Sequence, residues 1–246
     1  MSLIKIGCSI EEFDVLDSSN NYVAKSISEG KYSFGTVILA HFQDRGRGQR
    51  EAIWQSEAKQ NLLFSFGYPI NERIQGNFFF ISRAVSLAIL NALQGLVTAE
   101  VQIKWPNDIL VNGNKVAGIL IENRISKDSY GVCGIGINVN QNYFEGLPYA
   151  TSLSILEKKK FDRMTVLYLI LSELNRYWKL LETKELRELQ KNYDEKLFQR
   201  GKSVAFVTNG KSSTGILAGT SPEGLLLVEV DGVIRPYQAS EIRLSY

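Results

Sequence analysis

The segment RGRGQR at residues 45–50 places three arginines within six positions and separates them with glycines. Guanidinium groups form charge-assisted, forked hydrogen bonds with carboxylates and phosphates, and neighbouring glycines leave backbone N–H groups accessible to an anion. The segment therefore predicts an anion-binding loop built on Arg45, Arg47 and Arg50. A solvated basic turn and an RNA-binding patch are the alternatives, and the absence of a third glycine excludes a dinucleotide fingerprint.

A second group of polar residues lies within KWPNDILVNGNKVAGIL, residues 104–120. The Asn-Gly pair at 112–113 is a strong signal for a two-residue β-hairpin. Because a hairpin doubles back, it brings Lys115 towards Asn107 and Asp108. A lysine, an amide and a carboxylate would then converge on one pocket. An ordinary surface hairpin is the alternative.

A third candidate is GIGINVN at residues 134–140, where glycines interrupt an apolar strand. Glycine inside a strand allows a ligand or another backbone to approach closely. From the residues alone, a ligand contact and tight packing against a helix explain the pattern equally well.

Composition excludes several classes of protein. The 246 residues carry a formal net charge of +2, which does not favour a general role on nucleic acid or on a membrane surface. With Cys8, Cys133 and His41 as the only cysteines and histidine, a disulfide framework and a thiolate or multi-histidine metal site are excluded. The N-terminus does not have the pattern of a signal peptide, so we expect a cytoplasmic protein.

The elements that must position these residues follow from apolar periodicity and turn signals. Helices are predicted over 18–29, with Ser and Asn capping the first turn, over 78–95, with Asn77 as the cap, and over 162–181, followed by a charged helix to about 199. Strands are predicted at 34–40, 62–66, 101–105, 108–111, 115–123 and 130–139. This mixture predicts an α+β fold with helices on a mixed, largely antiparallel sheet.

The chain changes character at Gly201. Residues 201–246 contain six glycines and four strand-like runs, SVAFV, STGILAG, GLLLVEV and VIRPYQ. Short strands alternating with turns predict a small SH3-like β-barrel, closed or nearly closed. We therefore divide the chain into a domain of residues 1–200 and a C-terminal domain of residues 201–246.

Five segments occur together in a specific order: DSSN at 17–20, QDRGRGQREAIW at 43–54, KWPNDILV at 104–111, KVAGIL at 115–120 and GIGINVN at 134–140. In this combination the chain resembles the biotin protein ligase family, also called biotin–acetyl-CoA-carboxylase ligases. The resemblance covers residues 14–200, and the β-rich tail is similar to the family's small C-terminal domain. It implies a monofunctional ligase without the N-terminal DNA-binding domain of some relatives.

The resemblance implies a reaction in two steps. Biotin and MgATP form biotinyl-5′-AMP and pyrophosphate, and the biotinyl group then passes to one lysine of a biotin carboxyl carrier domain of a carboxylase. ATP and Mg²⁺ are the expected cofactors. Biotin, ATP and the carrier domain are the expected partners, without nucleic acid or membrane, and the protein is expected to be a monomer or a homodimer.

The family pattern also implies the site residues. Lys115 and Arg47 are the expected catalytic residues, placed at the α-phosphate and the biotin carboxylate. Biotin is expected to contact Ser18, Ser19, Asn20, Gln43, Gly46, Arg47, Gly48, Gln49, Lys115, Gly118 and Gly134. ATP is expected to contact Arg47, Arg50, Trp54, Asn107, Asp108, Lys115 and Asn138. The metal ligands stay unassigned.

Some positions depart from the family pattern. Gln49 stands where many members carry a second arginine, Glu51 where they carry glycine, and Ser19 where threonine is commoner. Retention of the intermediate would then depend more on Arg47 and Arg50. Residues 44–55 are expected to be mobile in the free enzyme and to close over the ligand, with an aromatic cover for the adenine. In the tail, Arg235 is a candidate contact.

Two alternative functions remain at this stage. A lipoate or octanoyl ligase shares the core architecture, but it would present an apolar tunnel and lack the combined GRG and KWPND segments. A nucleic-acid or protein-interaction module would use the RGRG patch and the SH3-like tail. Such a module predicts salt-sensitive RNA binding without ATP turnover, and the lack of aromatic residues among the arginines disfavours it.

Overall fold

Apolar, β-branched runs form the larger of two sheets in the computed structural model, which describes residues 4–72, 74–76, 78–126, 128–183 and 185–245. The spatial order of its seven strands is β1-β2-β3-β7-β6-β5-β4, and every neighbouring pair is antiparallel except the parallel pair β1–β2. The strands are β1 (Ile10–Phe13), β2 (Val37–Ala40), β3 (Leu62–Pro69), β4 (Val101–Lys104), β5 (Asp108–Val111), β6 (Asn114–Arg124) and β7 (Tyr130–Ile137).

The predicted hairpin joins β5 to β6. Asn112 and Gly113 both have positive φ angles, +50° and +74°, as a two-residue hairpin turn requires. The pairing register sets Asp108 opposite Gly118 and Leu110 opposite Lys115, with an irregularity between Ile109 and Leu110. The local sequence therefore brings Lys115 and Asp108 to the same part of the sheet.

The described residues form five α-helices: α1 (Ser19–Ser28), α2 (Phe78–Gln94), α3 (Leu153–Glu157), α4 (Arg163–Thr183) and α5 (Leu186–Glu195). Successive side chains of β2 point to opposite faces, as strand geometry dictates. Val37 and Leu39 join the main core formed with α2 and α4, whereas Ile38 packs in a smaller cluster with Val23 of α1. The helix α1 thus lies on the opposite face from α2 and α4.

The tail forms a second, antiparallel sheet with the order β11-β10-β9-β8-β12. Its strands are β8 (Ser203–Thr208), β9 (Lys211–Thr220), β10 (Leu226–Val230), β11 (Val233–Tyr237) and β12 (Ile242–Ser245). The rings of Phe206 on β8 and Tyr237 on β11 lie 5.7 Å apart, although two strands separate them in the sheet, so the sheet curls. The α+β class is confirmed. The domain boundary between residues 200 and 201 stays a prediction.

A buried junction ties the second sheet to the first. The guanidinium of Arg83 on α2 donates to Pro222 O at 2.9 Å and to Thr220 Oγ1 at 3.0 Å. The indole Nε1 of Trp105 donates to Gly224 O at 3.0 Å. Because Trp105 belongs to the KWPND segment, these bonds connect the β9–β10 loop to the region around Asp108.

Some local predictions differ from the structure. Ser18 occupies the N-cap position of α1, but its side chain makes no capping hydrogen bond, and its backbone N–H donates instead to the Asp17 carboxylate at 2.7 Å. The short elements β1, α3 and β12 were not predicted. The predicted cap Asn77 lies outside the described residues. Within the described residues, each helix is too short or too polar to cross a membrane.

Candidate active site

A cavity of about 240 Å³ lies between the start of α1, the loop of residues 43–54 and the middle of β6 and β7. It collects most of the residues that were expected to contact biotin. Its lining includes Ser18, Ser19, Asn20, Gln43, Arg47, Gly48, Gln49, Lys115, Gly118 and Gly134. The remaining one, Gly46, is buried and accepts a backbone hydrogen bond from Trp54 at 3.0 Å. Trp54, Asn107 and Asp108, expected at ATP, also line the cavity.

A larger groove of about 1180 Å³ adjoins the cavity and extends between the β5–β6 hairpin, residues 144–150 and the C-terminal sheet. Arg50 and Asn138, the other residues expected at ATP, line this groove and not the smaller cavity. The lining residues common to both spaces are Gln49, Ala52, Ile53, Trp54, Asp108 and Lys115. Arg243 of β12 also faces the groove, which the sequence did not predict, whereas the candidate Arg235 does not line it.

Lys115 stands at the junction of the two spaces. Its Nζ lies 2.7 Å from Asp108 Oδ1 and 5.4 Å from the centre of the Trp54 ring. Its backbone is anchored on both sides, because its N–H donates to Tyr149 O at 2.7 Å and its carbonyl accepts from Thr151 N at 2.9 Å. The side chain of Lys115 is therefore presented from a fixed backbone to both spaces.

The charge at this junction is positive. Lys104, at the end of β4, lines the groove with Asp108 and Lys115, so two lysines face one carboxylate. Burial lowers the pKa of Lys104; the carboxylate of Asp108 raises it in part, and the charge of Lys115 lowers it further. An anionic ligand at the junction would relieve the repulsion between the two ammonium groups.

The three arginines of the RGRG loop point to different places. Arg47 donates through Nη2 to Asn21 Oδ1 and to Glu122 Oε2, both at 2.8 Å. Arg45 is exposed and lies 3.8 Å from the carboxylate of its neighbour Asp44. Arg50 has a positive φ of 53° and is exposed towards the groove. The loop thus offers one arginine to each space rather than a single cationic cluster.

The glycines of β6 and β7 lie under the side chains of the site. A Cβ on Gly118 would lie 2.8 Å from Trp54 Cζ3, and one on Gly136 would lie 2.5 Å from Cε2 of the same ring. Gly134 likewise leaves space for the side chain of Asn20. These glycines therefore leave room for two side chains of the site, Trp54 and Asn20. The indole Nε1 of Trp54 is buried and has no hydrogen-bond partner in the described chain.

Sequence reasoning missed two polar residues beside the cavity. Ser65 is fully buried on β3 and is bonded to both Ser19 and Asn20. Glu122 on β6 is bonded to Asn20 and Arg47. Ser65 interrupts the apolar run of β3, and Glu122 follows Gly118 at an even spacing that places both on one face of the strand. The polar interruption could have identified Ser65, and the even spacing could have identified Glu122.

Oxygen ligands for a metal ion are available in the groove. The described residues contain no cluster of three or more histidine, cysteine, aspartate or glutamate side chains arranged to hold a metal. Asp108 supplies one carboxylate, and Asn138 has a buried Oδ1 without a hydrogen-bond partner in the described chain. Mg²⁺ commonly takes one or two protein oxygens together with phosphate and water. These residues fit a metal ion that arrives with a nucleotide.

Residues 12–140, slightly more than half of the chain, match the model of the biotin/lipoate A/B protein ligase family. The chain belongs to this family. The matched segment contains the RGRG loop, the β5–β6 hairpin and the whole GIGINVN segment. All the residues that line the smaller cavity, Lys115 among them, therefore lie within the matched segment.

Individual relatives and a solved structure show which members of the family the chain is similar to. It is 29% identical to the biotin–acetyl-CoA-carboxylase ligase of Mycobacterium tuberculosis, over 94% of this chain and 88% of that protein. It is 28% identical to the bifunctional ligase/repressor BirA of Escherichia coli, over 97% of this chain and 74% of that protein. Among solved structures, the biotin protein ligase from Aquifex aeolicus in complex with biotin and ATP has a TM-score of 0.82 and 28% identity, covering 97% of this chain and 99% of that one.

These findings confirm the prediction of an ATP-dependent biotin protein ligase. The relatives are biotin ligases over nearly the whole chain, so the lipoate or octanoyl ligase has less support. The individual roles of the site residues stay predictions, to be argued from the geometry.

Proposed function

We propose that the protein joins biotin to ATP as biotinyl-5′-AMP, releases pyrophosphate, and transfers the biotinyl group to a lysine of a biotin carboxyl carrier domain. The observation that carries this proposal is the position of Lys115, where a cavity of about 240 Å³ opens into a groove of about 1180 Å³. The smaller space suits the vitamin and the larger one the nucleotide, so their reacting groups would meet at Lys115.

In the first step, a biotin carboxylate oxygen attacks the α-phosphorus of ATP, and the bond from that phosphorus to the pyrophosphate oxygen breaks. Two anions must approach each other, so fixed positive charge lowers the barrier. Lys115 supplies that charge at the junction, and Lys104 adds to it from the groove. The role of Lys115 is to stabilise the crowded phosphate, not to act as a nucleophile.

Arg47 would hold the biotin carboxylate. Its guanidinium is partly exposed beside the cavity and is held by Glu122 and Asn21. An incoming carboxylate can replace one of these partners without leaving a buried charge unpaired. When bound with ATP, Mg²⁺ held by Asp108 and Asn138 would neutralise phosphate charge.

In the second step, the amine of the carrier lysine attacks the acyl carbon of the mixed anhydride, AMP leaves, and the amine loses a proton. The anhydride must be shielded from water until then. The loop of residues 44–55 can act as the lid: it closes on itself through the bonds Gly48 N to Ala52 O at 2.6 Å and Trp54 N to Gly46 O at 3.0 Å. The indole of Trp54, between cavity and groove, would cover the adenine.

The cellular setting belongs to the same proposal. We place the enzyme in the cytoplasm, as a monomer or a homodimer, acting on the carrier domain of a carboxylase such as acetyl-CoA carboxylase. Support comes from the sequence pattern and from the name of the Mycobacterium tuberculosis relative.

The decisive experiment measures pyrophosphate release after the protein is mixed with ATP and either biotin or lipoate. We expect release with biotin only, and a loss of at least about 100-fold in Lys115→Ala, the scale expected when a charge-stabilising group is removed. Lys179→Ala, which removes an exposed lysine of α4, is the matched control and should retain full activity. Full activity in Lys115→Ala would remove this residue from the mechanism, and release with lipoate alone would overturn the proposed substrate.

A further inference from the structure

A continuous chain of hydrogen bonds runs along the wall of the cavity. Ser19 Oγ lies 2.7 Å from Ser65 Oγ, and Ser65 Oγ donates to Asn20 Oδ1 at 2.6 Å. Asn20 Nδ2 donates to Glu122 Oε2 at 2.8 Å, and the same carboxylate oxygen accepts from Arg47 Nη2 at 2.8 Å. The chain links residues of α1, β3, β6 and the RGRG loop.

The carboxylate of Glu122, at one end of this series, sets the direction of the hydrogen bonds from Asn20 to Ser19. The amide of Asn20 faces the Glu122 carboxylate and, at 3.3 Å, the backbone carbonyl of Leu120. Both groups only accept hydrogen bonds, so the NH₂ of Asn20 must be at that end and its Oδ1 must face Ser65. Ser65 has one hydrogen and gives it to Asn20, so the hydroxyl hydrogen of Ser19 goes to Ser65. What remains on Ser19 Oγ is the capacity to accept.

The neighbouring amide of Gln43 is oriented in the opposite sense. Its Oε1 accepts from the backbone N–H of Ser19 at 2.6 Å, which leaves its Nε2 as the donor end. Both Ser19 and Gln43 line the cavity, so the wall offers one acceptor and one donor side by side. A ureido ring, which has N–H donors next to a carbonyl acceptor, is the complement of this pair.

We infer that Glu122 is a positioning residue for biotin recognition: its carboxylate makes the Ser19 hydroxyl an acceptor for a ring N–H. The inference rests on the proposed function, because it assigns the ligand of the cavity as biotin. Glu122 acts through Asn20 and Ser65 and does not line the cavity itself. In this series of hydrogen bonds, the carboxylate of Glu122 can accept a hydrogen bond but cannot donate one. The amide of Asn20 and the hydroxyls of Ser65 and Ser19 must therefore orient to suit it.

Replacing the carboxylate with an apolar side chain of similar length should release this control. In Glu122→Met, the amide of Asn20 loses its 2.8 Å acceptor and keeps the long bond to Leu120 O. Asn20 can then turn its Nδ2 towards Ser65, the Ser65 hydroxyl can donate to Ser19, and the Ser19 hydroxyl is free to donate into the cavity. The selectivity of the site for N–H over oxygen should fall. Glu122→Gln is the conservative control, because its amide oxygen can take the place of Oε2 and accept both hydrogen bonds.

The test compares biotin with the two analogues in which one ring N–H is replaced by oxygen, a cyclic carbamate. The measured quantity is kcat/KM for pyrophosphate release, expressed as the ratio of biotin to the more strongly rejected analogue. We expect this ratio to fall about tenfold or more in Glu122→Met and in Ser65→Ala, the scale of one hydrogen bond left unmatched, and to change about threefold at most in Glu122→Gln. Biotin KM should rise while kcat changes less, because the change concerns binding of a remote ring.

Two matched variants control for general effects. Glu173→Gln removes a partly buried carboxylate that pairs with Arg176 on α4, and Ser26→Ala removes a buried hydroxyl of α1 outside the chain of bonds. Both should keep the wild-type ratio. An unchanged ratio in Glu122→Met, with wild-type protein that turns over biotin, overturns the inference alone. No biotin turnover in the wild-type protein overturns the proposed function and the inference with it. The side chain of Glu122 is partly exposed, so the decision does not depend on whether Ser65→Ala folds.

Discussion

Two arginines show how burial decides what one residue type does in this protein. Arg47, in the RGRG loop, is 42% exposed and holds an acidic and an amide side chain, Glu122 and Asn21. Arg83, in the middle of α2, is fully buried. It donates to groups of the β9–β10 loop, and its guanidinium carbon lies 4.8 Å and 4.4 Å from the ring centres of Phe79 and Phe80.

The difference lies in the cost of losing a partner. A half-exposed ion pair contributes little to stability, since water can replace either partner. When a buried guanidinium is separated from its acceptors, its charge is left uncompensated, and the carbonyl groups that it bonded are left without a donor. Burial lowers the pKa of Arg83 to about 10, against the opposing effect of Asp194, so it stays protonated at neutral pH. Arg47 can therefore exchange partners with a ligand, whereas Arg83 holds the C-terminal sheet in place.

The largest expected effect is on stability and tests Arg83, the buried arginine. Arg83→Met should lower the free energy of unfolding by about 3 kcal/mol or more, because it leaves Pro222 O, Ser221 O and Thr220 Oγ1 without their donor. Urea unfolding monitored by tryptophan fluorescence measures it. The matched variant Arg47→Met should stay within about 0.5 kcal/mol of the parent protein. Equal losses in the two variants would break the comparison.

The next largest effect is on catalysis and tests Arg47, the arginine that can exchange its partners for a ligand. Arg47→Met should lower kcat/KM for biotin about 10- to 100-fold, the scale of one lost charge-assisted hydrogen bond. Pyrophosphate release at varied biotin concentration measures it. Arg45→Met, whose arginine pairs only loosely with the exposed Asp44, should change kcat/KM about twofold at most. An Arg47→Met variant with parental kinetics would show that this guanidinium does not contact the ligand.

The smallest effect concerns pH and compares Lys104 with an ordinary exposed lysine. Burial lowers the pKa of Lys104, so its positive charge is present below that pKa and is lost as pH rises through it. KM for ATP should therefore rise a few-fold at alkaline pH, before exposed lysines titrate. Lys104→Arg, which remains charged, should remove this rise. A rise of equal size in Lys104→Arg would assign the effect to another group.

Local patterns predicted the parts of the site that lie close together in the chain. The Asn-Gly turn and the alternation in its strands were enough to bring Lys115 to Asp108, seven positions apart, and the structure places their charged atoms 2.7 Å apart. The helix α2 followed from its apolar composition. The role of its buried Arg83 did not, because this arginine appeared only as a polar interruption of an apolar run.

Contacts between distant segments were beyond the sequence. The bond from Arg47 to Glu122 spans 75 positions, and the bond from Arg83 to Pro222 spans 139. No local period encodes such pairs; they arise because the RGRG loop lies beside β6 and because the tail packs on α2. The three arginines of one short loop also looked equivalent, yet each has a different environment.

The amino-acid sequence alone determined the fold class, most strands and helices of the core, the hairpin at Lys115 and the relationship to biotin ligases, because periodicity, turn chemistry and motif order are properties of neighbouring residues. Only the tertiary structure decided which arginine exchanges partners, which one is locked, and which way the hydrogen bonds of the cavity point. Those outcomes depend on burial and on acceptors contributed by remote strands, and neither exists until the chain has folded.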